Sequence, residues 1–210
     1  MDEENKAVQL VNYIIENGIA GIGPLSSAES LAGEYIRDSR YANNAERCEA
    51  LVNWESAKNF TSGFISGLGG LVTLPLSVPG ALTASWIIQA RMVAAIAKIN
   101  GYDIKEDRVK TMILLTIVGG EIKDILKDAG YVLTTRLTIS LIQQIPGKLL
   151  YEINKAVGFR LITRAGTTGI VNLMKVVPIL GGAVTGTIDG FYCMKIGQKA
   201  IQLFTMESKE

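Results

Sequence analysis

The feature that most restricts the fold of this chain is a run of 32 uncharged residues, 59 through 90. A helix of about 20 apolar residues spans a bilayer, so the run is long enough to cross a membrane. Pro75, Pro79 and five glycines interrupt it, and proline breaks a helix because it removes a hydrogen bond and clashes with the preceding turn. We therefore expect an apolar helical hairpin, either dipping into one leaflet of a membrane or buried in a soluble bundle.

Apolar residues recur at helical spacing along most of the chain, as at Leu10, Val11, Ile14 and Ile15. The segment 132–145 is rich in threonine, isoleucine and leucine, but its length and lack of strict alternation favour a helix. The fold class predicted is all-α: a single-domain helical bundle with a central apolar, glycine-rich helical hairpin. The predicted helices cover residues 2–17, 26–40, 44 to beyond 58, 79–99, 104–127, 132–145, 146–165, 170–177 and 178–206.

Cap residues indicate several of the helix ends. Ser26 and Glu29 have the spacing of a capping box, in which two side chains each bond a backbone N–H at a helix start. Asn43 or Asn44 is expected to cap the third helix. Pro79 is expected to open the apolar helix, and the pair 100–101, Asn-Gly, to end it.

No linker-like or low-complexity segment divides the chain, so we expect one structural domain overall. Within it, residues 1–49 should form N-terminal helices that pack on the rest, and residues 50–206 the main helical domain.

Glycines spaced four residues apart predict close contacts between helices, as in a glycine zipper. These are Gly63, Gly67, Gly182, Gly186 and Gly190. A glycine inside a helix costs about 1 kcal/mol relative to alanine, so close packing must offset it. Tight helix packing is the favoured interpretation, with bilayer insertion or a cavity for an acyl chain as alternatives.

Composition excludes several classes of function. The chain has no histidine, which removes Ser-His-Asp and Cys-His catalysis and histidine-bound zinc. The net charge of +1 does not favour nucleic acid. Cys48 and Cys193 are expected to be reduced core thiols. No catalytic motif, cofactor motif or metal site is found, so we expect a non-enzymatic protein, with a lipid-acting enzyme as the weaker alternative.

Three carboxylates lie on one face of a predicted helix and could in principle hold Mg²⁺ or Ca²⁺: Glu121, Asp124 and Asp128. Lys123 and Lys127 alternate with them, which is typical of a solvated helix face. We therefore favour the solvated face over a metal site.

Three charged residues lie in apolar segments of predicted helices: Arg91, Glu121 after Gly119-Gly120, and Asp189 before Gly190. An isolated buried charge costs several kcal/mol, so each needs a partner. The favoured interpretation is that Arg91 pairs with Asp189 or Glu121 and thereby orients the helices. The alternative is a site that binds a ligand headgroup.

The segment 148–175 is basic, with Glu152 as its only acidic residue. Arg160, Arg164 and Lys175 are candidates for contact with phospholipid headgroups, since a basic residue near an anionic surface contributes about 1 kcal/mol. A solvated face is nevertheless the favoured interpretation of this segment, and headgroup contact is the alternative.

The order of several motifs resembles the EcsC protein family of bacteria. The motifs are the segments 54–58, 62–70, 91–103, 175–182 and 197–204, so the likeness covers about residues 50–204. The resemblance implies an α-helical protein that associates with membranes or binds lipid. It brings no catalytic residues with it.

These observations together predict a membrane-associated or lipid-binding protein, cytoplasmic or peripheral at the inner face of the membrane, whose partner is a membrane lipid or an acyl-chain ligand. The acidic start of the chain does not resemble a secretory signal. The alternative is a soluble protein-interaction module, such as an effector, an immunity protein or a regulatory subunit, whose apolar helices are plain core.

Overall fold

The structure is a computed structural model, and it describes residues 3–59, 78, 80–119, 122–128, 143–171 and 183–205. Over these residues it has eight α-helices and no strand, which confirms the predicted all-α bundle. The helices are α1 (Glu3–Ala20), α2 (Ala28–Arg37), α3 (Asn44–Asn59), α4 (Gly80–Ile99), α5 (Asp107–Val118), α6 (Ile122–Asp128), α7 (Gly147–Val171) and α8 (Ala183–Phe204).

Helix α4 is the centre of the bundle. Every residue from Thr83 to Ala97 is buried. Helices α1, α2, α3, α5 and α8 pack around it, as expected for a helix that is apolar on nearly every side. The central apolar helix is therefore confirmed, whereas residues 60–77, which include the other arm of the predicted hairpin, lie outside the described residues.

One cluster of buried apolar side chains draws members from all eight helices and runs from Leu10 to Phe204. Helix α1 packs against α4 and α7, and α3 packs against α8. The boundary that we expected between residues 49 and 50 falls inside α3, which is one continuous helix. Cys48 and Cys193 are buried with free thiols.

Helix α2 is capped one residue later than the sequence predicts. The hydroxyl of Ser27 accepts a hydrogen bond from the backbone N–H of Ser30 at 3.1 Å. Ser26, the expected cap, lies outside the helix and bonds to Arg91 instead. Both serines suit an N-cap, and only the tertiary contact of Ser26 distinguishes them.

Asn43 caps α3, as one of the two predicted alternatives. Its side-chain oxygen accepts from the backbone N–H of Glu46 at 2.9 Å, and the Glu46 carboxylate accepts from the backbone N–H of Ala42 at 2.9 Å. These reciprocal bonds satisfy two donors at the helix start. The structure thereby distinguishes Asn43 from Asn44, whose side-chain nitrogen donates to the carbonyl oxygen of Ile99 at 2.9 Å instead.

The predicted helix 104–127 is two helices, because the chain turns at Gly119. Gly119 has φ +75°, in the left-handed region that favours glycine, and α5 ends at Val118. The opposite correction applies to α7, which continues through residues 166–169, where a loop was expected. The Asn100-Gly101 cap is confirmed, with Gly101 at φ +88°.

Close helix contacts are made by glycines that the sequence analysis did not select. A Cβ built on Gly18 would lie 2.7 Å from the Cβ of Ala90, and one on Gly197 would lie 2.5 Å from Cγ2 of Val52. A Cβ on Gly158 would overlap the backbone carbonyl of Ala7.

The glycines that were predicted to form a zipper are described by the structure only in part. Gly190 is buried on α8, and Gly186 lies on the same helix with surroundings outside the described residues. Gly63, Gly67 and Gly182 are outside the described residues altogether. A spacing of four places glycines on one face of a helix. Whether they make close contacts depends on whether that face packs against another helix, which a single sequence does not show.

Candidate functional site

A buried ion pair joins α4 to α3. Nη2 of Arg91 donates to Oε2 of Glu55 at 2.9 Å, and the two side chains are only 4% and 1% exposed. The other terminal nitrogen, Nη1, donates to the backbone carbonyl and the hydroxyl of Ser26, both at 3.1 Å. Arg91 therefore ties the loop before α2 and helix α3 to the central helix.

The expectation that Arg91 needs a buried carboxylate is met, and among the described residues that carboxylate is Glu55, which was not one of the two predicted partners, Asp189 and Glu121. Asp189 lies on α8 with its side chain outside the described residues, and Glu121 is outside them too. Glu55 was missed because α3 is rich in charged residues, so nothing in its sequence marks one carboxylate as buried. The enclosure of both charges favours the structural interpretation over a headgroup site.

A cleft of about 390 Å³ lies where the end of α5 meets α7 and α8, and we call it the basic cleft. Three of its lining residues are cationic, namely Arg164, Lys195 and Lys199, and none of the described lining residues is acidic. The others are Ile117, Val118, Gly119, Tyr192, Ile196, Gln198 and Gln202.

Two of the three cations hold the C-terminal carbonyls of α5. Nη2 of Arg164 donates to the carbonyl oxygen of Val118 at 3.1 Å, and Nζ of Lys199 donates to that of Gly119. A helix C-terminus carries a partial negative charge, so these contacts are favourable. Burial lowers the pKa of Lys199, because the protein replaces water around its charge.

The third cation, Lys195, lies among exposed aromatic rings. Its Nζ is 4.5 Å from the ring centre of Phe191, a cation–π distance. Phe191 and Tyr192 are 54% and 56% exposed, which is unusual for side chains of this size. A cationic cleft rimmed by aromatic rings can attract an anion and at the same time lie against an apolar or interfacial surface.

The predicted headgroup residues are distributed unevenly. Arg164 lies in the basic cleft, Arg160 lies half-buried one turn earlier on α7, and Lys175 is outside the described residues. Lys155, another cation of this region, bonds to Glu4 at 3.1 Å and Glu152 at 2.6 Å. Of the three predicted headgroup residues, Arg164 is therefore the one that lines the basic cleft, together with Lys195 and Lys199 of α8.

Sequence reasoning missed Lys195, Lys199 and their aromatic neighbours. The signal available was the spacing of four between the two lysines, which places them on one face of the last helix. The two lysines line a cleft only because α5 ends just before Gly119, next to this face of the last helix. Asp124 and Lys127 on α6 are exposed, as expected of a solvated face, and no group of metal-ligating side chains occurs among the described residues.

Among the described helices, α4 has the length and composition to cross a membrane, yet 78% of its most apolar window is buried inside the protein. Core helices of soluble proteins share this property. The apolar character of α4 is thus accounted for by its central position in the bundle.

Comparisons of the chain with protein-family models, with curated proteins and with solved structures find no match. The resemblance to the EcsC family stays a prediction.

Proposed function

We propose that this protein is a non-enzymatic, peripheral lipid-binding protein, as the EcsC resemblance implies, and that the basic cleft is its contact with anionic membrane lipid. The observation that carries the proposal is the grouping of Arg164, Lys195 and Lys199 beside exposed Phe191 and Tyr192, without a described acidic residue in the lining. A cytoplasmic location, at the inner face of the membrane, follows from the same proposal.

The charges and the rings would act together. Each basic residue near an anionic surface contributes about 1 kcal/mol. Because Arg164 and Lys199 also bond the end of α5, the three cations together provide marginal, reversible binding at most. Tyr192 suits the interface between lipid and water, because its ring is apolar and its hydroxyl can remain in water. Phe191 adds apolar surface beside it. Binding of this kind weakens with salt, because mobile ions screen exposed charges beyond about 8–10 Å.

Co-sedimentation with vesicles tests the proposal. We expect binding to vesicles of phosphatidylcholine with phosphatidylglycerol at low salt, and much less to phosphatidylcholine alone or at high salt. Lys195→Glu reverses a charge that has no ion-pair partner among the described residues, and should reduce binding. Phe191→Ser and Tyr192→Ser should do the same without changing the charge.

Matched controls lie elsewhere on the surface. Lys105 is exposed before the start of α5, about 18 Å from the basic cleft along that 12-residue helix. Lys105→Glu gives the same change in net charge and should leave binding intact, as should Tyr151→Ser for the aromatic variants. Equal losses in Lys105→Glu and Lys195→Glu would show that only net charge matters, and the proposed cleft would be wrong.

A soluble protein-interaction module is the second candidate. The observation that favours it is the burial of α4, which makes its apolar surface plain core. Cell fractionation distinguishes the two. Protein that is found wholly in the soluble fraction and does not bind anionic vesicles at low salt would favour the interaction module.

A further inference from the structure

A second cleft, of about 600 Å³, lies between α2 and α3, away from the lining of the basic cleft. We call it the aromatic cleft, because Tyr35, Tyr41 and Trp54 form part of its wall. Trp54 is 60% exposed, although tryptophan is usually well buried. The remaining lining residues are Glu34, Asp38, Arg40, Ala50 and Asn53.

The aromatic cleft already holds one guanidinium, that of Arg40. Its Nη2 and Nε donate to the Asp38 carboxylate at 2.6 and 3.0 Å. Its Cζ lies 5.6 Å from the ring centre of Tyr41, and the Tyr41 ring stacks on Tyr35 with centres 6.0 Å apart. A carboxylate at the edge of a guanidinium and an aromatic ring at its face together match the two ways in which this planar ion is recognised.

The hold on Arg40 is weak enough to exchange. The Arg40 side chain is 78% exposed and that of Asp38 is 21% exposed, so water and salt compete for the guanidinium, and an ion pair at the surface contributes little to stability. Arg40 and Asp38 are also neighbours within one turn of chain, so their contact orders no distant part of the fold. A guanidinium from outside can therefore replace this one without breaking the core.

The aromatic cleft retains negative charge beyond what Arg40 neutralises. Glu34 and Asp38 are two carboxylates against one cation, and Glu34 makes no hydrogen bond or ion pair among the described residues. Beneath them, Glu55 is neutralised by Arg91. An incoming cation thus finds an acidic rim as well as aromatic faces.

We propose that the aromatic cleft is a binding site for a guanidinium-bearing ligand, and that Arg40 is a tethered competitor which occupies the site until such a ligand replaces it. The proposal is independent of lipid binding at the basic cleft. The guanidinium can come from a small molecule or from an arginine side chain of a partner protein.

Fluorescence and calorimetric titrations test the proposal. The probes are methylguanidinium against its neutral isostere methylurea, and acetyl-Gly-Arg-Gly-amide against the same peptide with citrulline. Trp54 is exposed and Trp86 is buried, so binding should change the emission of Trp54, and the change should vanish in Trp54→Phe. We expect weak binding of both charged probes and none of the neutral ones.

The decisive variant is Arg40→Ala. It should bind the charged probes about fivefold more tightly or better, because it lacks a competitor held at high effective concentration. Lys127→Ala removes the same charge from an exposed position on α6, which packs on α5 and α7, and should not tighten binding. Tyr41→Leu and Glu34→Gln should weaken binding, with circular dichroism confirming that they fold.

Two results would overturn the proposal: equal response to methylguanidinium and methylurea, or an Arg40→Ala variant that binds no better than Lys127→Ala. Tighter binding of the peptide than of methylguanidinium would support the site and assign it to a partner's arginine. The reverse order would support it and assign it to a small guanidinium compound.

Discussion

Arg91 and Glu55 are 36 residues apart in sequence, yet their charged groups meet at 2.9 Å in the interior of the bundle. The pair connects the central helix α4 to α3, and the second arm of the guanidinium reaches Ser26 in front of α2. Three segments are therefore positioned by one cation. A guanidinium stays charged at any physiological pH, so its burial is acceptable only with such partners.

Removing either member of the pair should destabilise the protein strongly. Arg91→Met leaves the Glu55 carboxylate buried without its main cation, and we expect a loss of about 3–5 kcal/mol in the free energy of unfolding. Arg91→Met combined with Glu55→Gln should recover part of that loss. Urea denaturation of the two single variants and the double variant measures the coupling.

The exposed pair of Lys98 and Glu29 is the control for that cycle. Lys98 is on the same helix as Arg91, and its Nζ lies 3.3 Å from the Glu29 carboxylate with both side chains well exposed. Lys98→Met should cost less than about 1 kcal/mol. A coupling energy between Arg91 and Glu55 below about 1 kcal/mol, the range of exposed pairs, would contradict a structural role for the buried pair.

Two glycines of α7 should respond to alanine in opposite directions. A Cβ at Gly158 overlaps the backbone of Ala7, so Gly158→Ala forces α1 and α7 apart and should destabilise by about 1–3 kcal/mol. A Cβ at Gly166 meets nothing within 4 Å, so Gly166→Ala should stabilise by about 0.5–1 kcal/mol. Thermal melting of both variants checks this, and a shift in the same direction for both would contradict the close contact.

Substitutions of the two serines before α2 should have different effects on stability. Ser27→Ala removes the cap of α2 and should cost about 1 kcal/mol, most of which Ser27→Gly should restore. Ser26→Ala removes only a hydroxyl that shares Nη1 of Arg91 with the Ser26 carbonyl, so this variant should keep the helix content of the wild type. Far-ultraviolet circular dichroism during denaturation would show whether Ser27 or Ser26 is the cap.

Tyr35 should make the protein sensitive to alkali. Burial, followed by the charge of Glu55, raises the pKa of Tyr35 from 10.0 to about 12. Because the folded state resists ionisation, the contribution of Tyr35 is complete below pH 10.0 and is lost as the pH rises toward about 12. Because Tyr35 is only half-buried, water screens part of this effect. Between about pH 8 and pH 11, the wild type should therefore lose more stability than Tyr35→Phe, by less than about 1 kcal/mol.

The raised pKa of Cys48, about 11, falls partly in the same range, but this thiol is present in both proteins and cancels in the comparison. Equal pH dependence of the wild type and Tyr35→Phe would show that the Tyr35 hydroxyl ionises as freely as in the unfolded chain.

The helices with strong periodic patterns were predictable from the sequence because their signals are local. The apolar run before Asn100 and Gly101 predicted α4 and its end. The start of α3 was predicted to within one residue, with Asn43 or Asn44 as its cap, and Asn43 is the cap in the structure. The absence of histidine excluded whole classes of chemistry without any structure. Even the need of Arg91 for a buried carboxylate followed from the apolar residues around it.

What the tertiary structure decided was which residues meet. Glu55 is one of several charged residues on α3, and only the packing of α3 on α4 makes it the partner of Arg91. Lys199 donates to the carbonyl oxygen of Gly119, where α5 ends. The helical pattern of the sequence continues past this residue, and the positive φ of Gly119 interrupts it. Periodicity specifies a helix and its apolar face, whereas the choice among polar neighbours depends on contacts between segments far apart in the chain, which only the assembled core determines.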